Sequence, residues 1–365
     1  MKKRVLIIRH SHGLGGAERY AFQLARTLQN NGLDVYFSTN VKELKSLARS
    51  QNVKQLFTPW YSPQGWGRKY LIFESFFIAW YYMLIRIFRI DIVHPQGVDD
   101  FVFATAAAKK LSKKVIWTDH GDLKYVMRPN TSGRLKKRIL LYADYATAVI
   151  AVSESEKHEI LSQRKAFPNL LTIHNGVDLP GKIKAAPRKT GKLVIGATSR
   201  LLFSKGLGEL LDAFAMLRDT GKQELWLVGS GEDEAKLKDL AKHRGILNDV
   251  RFFGHQSDVW PYLAAMDIYV LPTYHEAFSI ALLEAGSMGK AVVATRTGGN
   301  PELIGRDTGI LVPIKDPQKL ADAIQQFIDS PELRKRKGKA LKTRVENEFS
   351  FTEIVKTKII PLYES

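Results

Sequence analysis

The 365-residue chain contains no cysteine. Disulfides and thiolate chemistry are therefore excluded, and the composition fits a reducing compartment. Long apolar runs are missing too. The most apolar stretch, YLIFESFFIAWYYMLIRIFRI at 70–90, is interrupted by Glu74 and Arg86, and its clean part runs only from Phe76 to Ile85. A bilayer-spanning helix needs about 20 such residues, so the stretch reads as an aromatic core helix. A helix lying in the plane of a bilayer surface is the other reading. The basic start MKKRVLIIRHSHG has too short an apolar run, Val5 to Ile8, for a signal-peptide core and reads as a buried strand. No HExxH, Cys/His cluster or D-x-[DN]-x-[DN]-G loop occurs, so no built-in metal site is expected. The GxSxG signature of serine hydrolases is absent as well. Neither a sequence repeat nor a low-complexity tract is visible.

What is present is a globular composition with a strong positive charge. Hydrophobic residues make up 45% and charged residues 25%, and the length suits two domains, each with its own core. The net charge is +18, and it is uneven: residues 1–180 hold 27 Lys and Arg against 14 Asp and Glu, the remainder 28 against 23. The first half should therefore attract something anionic, such as lipid headgroups, a phosphorylated acceptor or nucleic acid. The basic residues do not interleave with aromatics as a base-stacking platform would require, and no reader motif occurs, so nucleic acid is not the expected partner.

Short apolar runs alternate with helical stretches throughout. Strands are expected at 5–10, 34–39, 91–96, 113–120 and 145–153, with a helix over 17–32. After the Pro, Gly and Lys-rich LPGKIKAAPRKTGK at 179–192, which reads as a linker, strands recur at 192–199, 224–231, 249–254, 267–273 and 291–295. Buried runs alternating with helices mean parallel sheets covered on both faces. Two such domains would bind ligands at the carboxyl ends of their strands.

Several motifs fall at those ends. SHGLGGAER follows the first strand and opens the first helix. Gly13, Gly15 and Gly16 let a ligand approach the backbone near a helix N-terminus, although the spacing matches neither G-x-G-x-x-G nor a P-loop. ATSRLLFSKG (197–206) flanks a strand-to-helix loop with Arg200 and Lys205, a guanidinium and an ammonium suited to a diphosphate; a solvated basic loop is the plainer reading. WTDHGD places His120 at a strand end, where a structural role competes with a functional one. HNGVD (174–178) reads as a turn, and the adjacent Asp99 and Asp100 as helix caps. HEAFSIALLEAGSMGK (275–290) carries Glu276 just ahead of a helix. Glu284 shares a face with Ile280, Ala281 and Met288, which points it toward the buried side. A carboxylate there needs a hydrogen-bonding partner, either a ligand or another side chain.

In order along the chain, GGAE, SRLLFSKG, LVGSGED, FFGH, HEAFSIALLEA and GGNPELI resemble the retaining nucleotide-sugar glycosyltransferases of family 4. The resemblance covers nearly the whole chain. It implies an α/β, GT-B fold: two Rossmann-like doubly wound domains facing across a cleft. Residues 1–180 would form the acceptor-side domain, 181–349 the nucleotide-sugar domain, and 350–365 would pack back on the first. It further implies that Glu284 accepts from the nucleotide's ribose hydroxyls and that Glu276 sits at the donor sugar, with the backbone of Ala277, Phe278 and Ser279 beside it. Arg200 and Lys205 would hold the departing diphosphate. Gly15 and Gly16 would approach from the first domain, His120 would lie near the reacting centre, and Gly254 would border the base. Glu276, Arg200, Lys205 and His120 are the expected catalytic residues. Two departures stand out: Ala277 where the family often has glycine, and Ala291 where proline is common. The first places a methyl near the sugar pocket.

The resulting expectation is a metal-independent, cofactor-free retaining transferase moving a hexose or N-acetylhexosamine from a UDP-sugar. Its acceptor would be a glycan or lipid-linked intermediate of an envelope polysaccharide. A cytoplasmic location is expected, with the basic first domain able to attach to an anionic membrane surface. The alternatives are a GT-B sugar-nucleotide epimerase or a synthase of a soluble disaccharide.

Overall fold

The computed structural model describes the chain except for residues 1, 12, 60–72, 128–132, 164–166, 168, 179–180, 189–190, 218–219 and 365. The chain folds as two units, Met1–Asn175 together with Thr352–Ser365, and Gly176–Phe351.

The first unit is built from β1 (Arg4–Ile8), α1 (Gly16–Asn30), β2 (Asp34–Ser38), α2 (Lys42–Ser50), β3 (Lys54–Gln55), α3 (Glu74–Ile87), β4 (Ile92–Pro95), α4 (Val98–Lys110), β5 (Lys114–Asp119), α5 (Leu123–Met127), α6 (Gly133–Ala143), β6 (Ala148–Ala151), α7 (Glu154–Gln163) and β7 (Leu170–Thr172). The sheet is parallel in the order β3-β2-β1-β4-β5-β6-β7. Val5 to Ile8 are fully buried, and Leu6 lies between Tyr36 on β2 and Val93 on β4. A strand covered on both faces has no polar side to show, which is why these runs are continuously apolar rather than alternating.

Two expectations are corrected in this unit. The described part of the 70–90 stretch is a core helix on one face only: α3 puts Tyr81 and Ile85 into the core and buries Leu84, but leaves Phe76, Met83 and Ile87 exposed. Asp100 does not cap a helix. It lies inside α4, buried, accepting from the Tyr81 hydroxyl at 2.7 Å and facing His10 Nδ1 at 3.0 Å, so it ties α3 and α4 to the end of β1. The closing helical stretch, Phe351 to Glu364, enters the unit at Thr352. There the Tyr363 hydroxyl meets His94 Nδ1 at 2.6 Å, and Lys3 Nζ donates to the Tyr363 carbonyl at 2.8 Å.

The HNGVD turn is also corrected. Gly176 is not in the left-handed region. It is needed for close approach, since a Cβ there would lie 2.7 Å from Phe351 Cα. Val177 forms a bridge with Ser350, Val177 N donating to the Phe349 carbonyl at 2.9 Å.

The second unit runs through β8 (Leu193–Thr198), α8 (Leu207–Ala215), β9 (Gln223–Val228), α9 (Glu234–His243), β10 (Val250–Phe252), α10 (Trp260–Ala265), β11 (Ile268–Leu271), α11 (Ile280–Ser287), β12 (Ala291–Thr295), α12 (Asn300–Leu303), β13 (Ile310–Val312), α13 (Pro317–Asp329) and α14 (Pro331–Glu348). This sheet too is parallel, ordered β10-β9-β8-β11-β12-β13, and Tyr269 pairs with both Gly196 and Val292. Because every strand points the same way, the loops leaving β8, β9, β10, β11 and β12 emerge at one edge. The described part of the 179–192 segment is held rather than free: Ala186 N donates to the Pro261 carbonyl at 2.8 Å, and Arg188 reaches Asp267 at 3.0 Å.

Candidate active site

The loop after β8 is placed by its neighbours. Leu201 N donates to the Ser230 carbonyl at 2.9 Å, and Phe203 N to Asp233 Oδ2 at 3.0 Å. The latter bond, with Lys236 second, holds the Asp233 carboxyl below its ordinary range. A short 3₁₀ turn at Phe203–Lys205 then leads into Gly206, whose φ is +69°. A Cβ at that position would lie 1.9 Å from the Pro272 carbonyl oxygen, so only glycine lets this loop press against the one leaving β11. Arg200 is exposed, without a side-chain partner among the described residues. Lys205 is half-buried and ion-paired, its Nζ 3.1 Å from Glu276 Oε2.

The loop after β11 is clamped more tightly. Tyr274 N donates to the Ser204 carbonyl at 3.2 Å, while its hydroxyl donates to Glu209 on α8. Burial, helped by that carboxylate, pushes the Tyr274 phenol well up, so it stays a donor. The Thr297 hydroxyl binds the Tyr274 carbonyl at 3.1 Å, and Gly299 N the Ala277 carbonyl at 3.1 Å. Gly298, at φ +48°, lies so close that a Cβ would sit 1.5 Å from the Glu276 carbonyl oxygen. Phe278 is buried, its ring 5.5 Å from that of Phe349. The Ser279 hydroxyl caps α11 by accepting from Leu282 N at 3.2 Å. At these two positions the backbone, rather than the side chain, is left to meet a ligand.

Glu284 is corrected in its placement. The helix starts at Ile280 and buries Leu282, Leu283, Ala285, Gly286 and Ser287, while Ile280, Ala281, Glu284 and Met288 are only half-buried. The apolar face seats α11 on β12 and α14, with Gly286 against Val345 and Leu341. This leaves the glutamate's side partly open. Glu284 nevertheless belongs to the same neighbourhood as Glu276. Burial pushes the Tyr269 phenol well up; its bond to Thr198 offsets part of this, and the charges of Glu284 and then Glu276 add to it. Gly254, at φ +67° after β10, receives Gly229 N on its carbonyl at 2.9 Å.

The second unit thus brings Arg200, Lys205, Gly254, Glu276 and Glu284 to one sheet edge. Lys205 and Glu276 touch. Two cations, helix-start amides and two carboxylates can grip a diphosphate and order polyhydroxy groups beside it. Among the described residues, no group of three His, Asp or Glu side chains is arranged to hold a metal ion.

The remaining predicted residues sit at the corresponding edge of the first unit. Gly15 is the extended N-cap of α1, and Gly16 its first residue. His120 follows β5, with Nε2 3.1 Å from Gln96 Oε1 and its ring 5.0 Å from that of Tyr20, edge-on. Burial first, then the Arg9 guanidinium and His94, holds its imidazole well below the ordinary value. The ring is therefore neutral. Arg9 joins these parts, its Nε donating to Glu18 Oε1 on α1 at 2.8 Å and its Nη1 to the Gln96 carbonyl.

Sequence reasoning missed Arg9, Glu18, Gln96, Tyr269 and Tyr274. Only Glu18 left a trace, as an acid in the first turn of a helix; the others act across sequence separations that no local pattern encodes.

Comparison with known proteins adds the following. The profile described as "Glycosyl transferases group 1" matches residues 181–344, and "Glycosyltransferase Family 4" matches 14–180. A lipopolysaccharide core biosynthesis glycosyltransferase, LpsE, of Rhizobium meliloti is 37% identical over 39% of this chain. The chain spans 42% of that relative's length. Glycogen synthase of Mycobacterium tuberculosis is 30% identical, with 74% of this chain and 67% of the relative covered. Among solved structures, Anabaena Alr3699/HepE in complex with UDP and glucose superposes with a TM-score of 0.81 at 19% identity, covering 100% of both chains.

Proposed function

Since the chain belongs to the family 4 glycosyltransferases and has the GT-B fold, we propose that it is a retaining hexosyl- or N-acetylhexosaminyltransferase using a UDP-sugar. The acceptor is a glycan or glycolipid of envelope polysaccharide synthesis. The observation that carries this reading is the Lys205–Glu276 pair beside Arg200, exposed and without a side-chain partner among the described residues, at the strand-end edge that also bears half-open Glu284. The complex of HepE with UDP and glucose, and the lipopolysaccharide role of LpsE, support the donor and acceptor classes.

In this reading Arg200 and Lys205 take the diphosphate and stabilise the charge it gains as the glycosidic bond breaks. Glu284 accepts from the ribose hydroxyls. Glu276, with the Ala277 and Phe278 backbone, orders the sugar hydroxyls. The acceptor oxygen attacks the same face that the phosphate leaves, its proton passing to a leaving-phosphate oxygen, so configuration is retained. Catalysis is positioning and charge stabilisation, with two side-chain cations in the role a divalent ion fills elsewhere.

A thermal-shift panel of nucleoside diphosphates and nucleotide sugars tests the donor. A ligand at 100 times its dissociation constant stabilises by about 2.7 kcal/mol, so UDP should raise the melting temperature. Transfer should survive EDTA. Silence across the panel removes the donor assignment, and manganese-restored activity removes the metal-free mechanism.

A further inference from the structure

We propose that the outer face of α3, with the basic face of α6 beside it, is a docking surface for an anionic phospholipid bilayer. The inference does not depend on the donor assignment. The inner face of α3 is anchored: Phe77 stacks on Phe103 at 5.2 Å, and Tyr81 donates to Asp100. The opposite face turns large apolar groups outward, with Phe76 51% and Ile87 62% exposed and Met83 between them. Phe57, 67% exposed, extends this ridge; the Trp80 indole donates to its carbonyl at 3.1 Å and meets its ring edge-on at 6.0 Å. Most of the exposed large hydrophobics in the described chain belong to this unit rather than the other. A contiguous patch of this kind marks an interaction surface.

The charge around the ridge identifies the occupant. Arg138 on α6 pairs with Glu74 at the start of α3, and the adjacent Lys137 is exposed. One turn beyond Lys137, Leu141 is exposed. Arg86 and Arg89 are exposed at the other end. Glu74 is buried and paired, and it is the only acid in α3 and α6. The ridge therefore has cations at both ends and no exposed acid on either helix. Aromatic and aliphatic groups settle at the headgroup–acyl boundary while arginines and lysines reach lipid phosphates. A second copy fits poorly, because a twofold pairing of this face would set like charges against each other. With 14 residues, α3 is too short to cross a bilayer, so it would lie in the plane.

Co-sedimentation of the full chain with phosphatidylcholine vesicles, with or without phosphatidylglycerol, tests this. Each cation near an anionic surface contributes about fivefold, so the anionic vesicles should be preferred by at least about tenfold, and added salt should weaken the binding. The pair Phe76→Ser/Ile87→Ser, and separately Arg86→Glu/Lys137→Glu, should each lower binding by about tenfold or more, while Lys335→Glu/Lys339→Glu on α14 should change it by less than about twofold. Circular dichroism verifies that each variant is folded. The proposal is overturned by absent binding, by equal binding to both vesicle types, or by folded α3 variants that bind as wild type. A concentration-dependent dimer in sedimentation velocity that Phe76→Ser/Ile87→Ser abolishes would assign the face to a second copy instead.

Discussion

Lys205 and Glu276 hold each other at 3.1 Å, so a diphosphate that takes the ammonium must first displace the carboxylate. Replacing Glu276 by Gln removes that competitor. As the pair is half-exposed, the gain is of the order of 1 kcal/mol or less, about fivefold at most. UDP binding measured by calorimetry should tighten while turnover falls; weaker UDP binding would show that the pair does not gate the cation. Lys205→Ala should cost on the order of 10²-fold in turnover, as the loss of one transition-state donor does. Initial rates near wild type would remove its role. The residues of this pair were legible because two loops each carry their chemistry in a local motif. Gln96 and Arg9 were not. Their significance lies in contacts to His120 and Glu18 that form only once β1, β4 and β5 are side by side.

At the scale of elements, two glycines decide how closely the loops of the second unit pack. Gly298→Ala would require a left-handed alanine whose Cβ collides with the Glu276 carbonyl. Strain of this kind costs about 1–3 kcal/mol before the loop shifts. Both stability and UDP affinity should therefore fall, as read by thermal unfolding with and without UDP. Gly245→Ala shares the positive φ but meets no atom within 4 Å; it should lose stability and keep UDP affinity. Equal UDP affinities in the two variants would deny the clamp a part in binding. The longer buried strands were legible because a strand covered on both faces must be apolar throughout. The edge strands β3, β7 and β13, of two or three residues, were not. They are recruited by an existing neighbour and need little apolar pattern of their own. The face of α11 was misjudged for a related reason: its residues are apolar nearly all round, so composition alone could not say which side β12 and α14 would cover.

For the molecule as a whole, acid sensitivity follows from buried histidine. His94 lies between Tyr363 and Thr118, and burial lowers its pKa from 6.5 to about 3. The unfolded chain therefore takes up the proton first. This contribution to stability is complete above the unfolded value and is lost as pH falls from about 6.5 toward about 3, at up to about 1.4 kcal/mol per pH unit. His120 acts in the same direction, while buried Asp119, whose carboxyl is raised mainly by desolvation, opposes them. His94→Gln should therefore flatten the acid limb of stability between about pH 6.5 and 5, whatever it does to stability at neutral pH. Parallel denaturant-derived curves for the two proteins would show that His94 is not held neutral.

The sequence by itself determined the two α/β sheets and the strand ends that carry Arg200, Lys205, Glu276 and Glu284, because burial on both faces and short loop motifs are local properties of a chain. Tertiary structure alone decided that Lys205 pairs with Glu276, that Glu284 lies on a half-open face, and that α3 turns aromatic residues outward. These depend on which neighbours cover an element, and packing across long sequence separations leaves no periodic mark in the residues it joins.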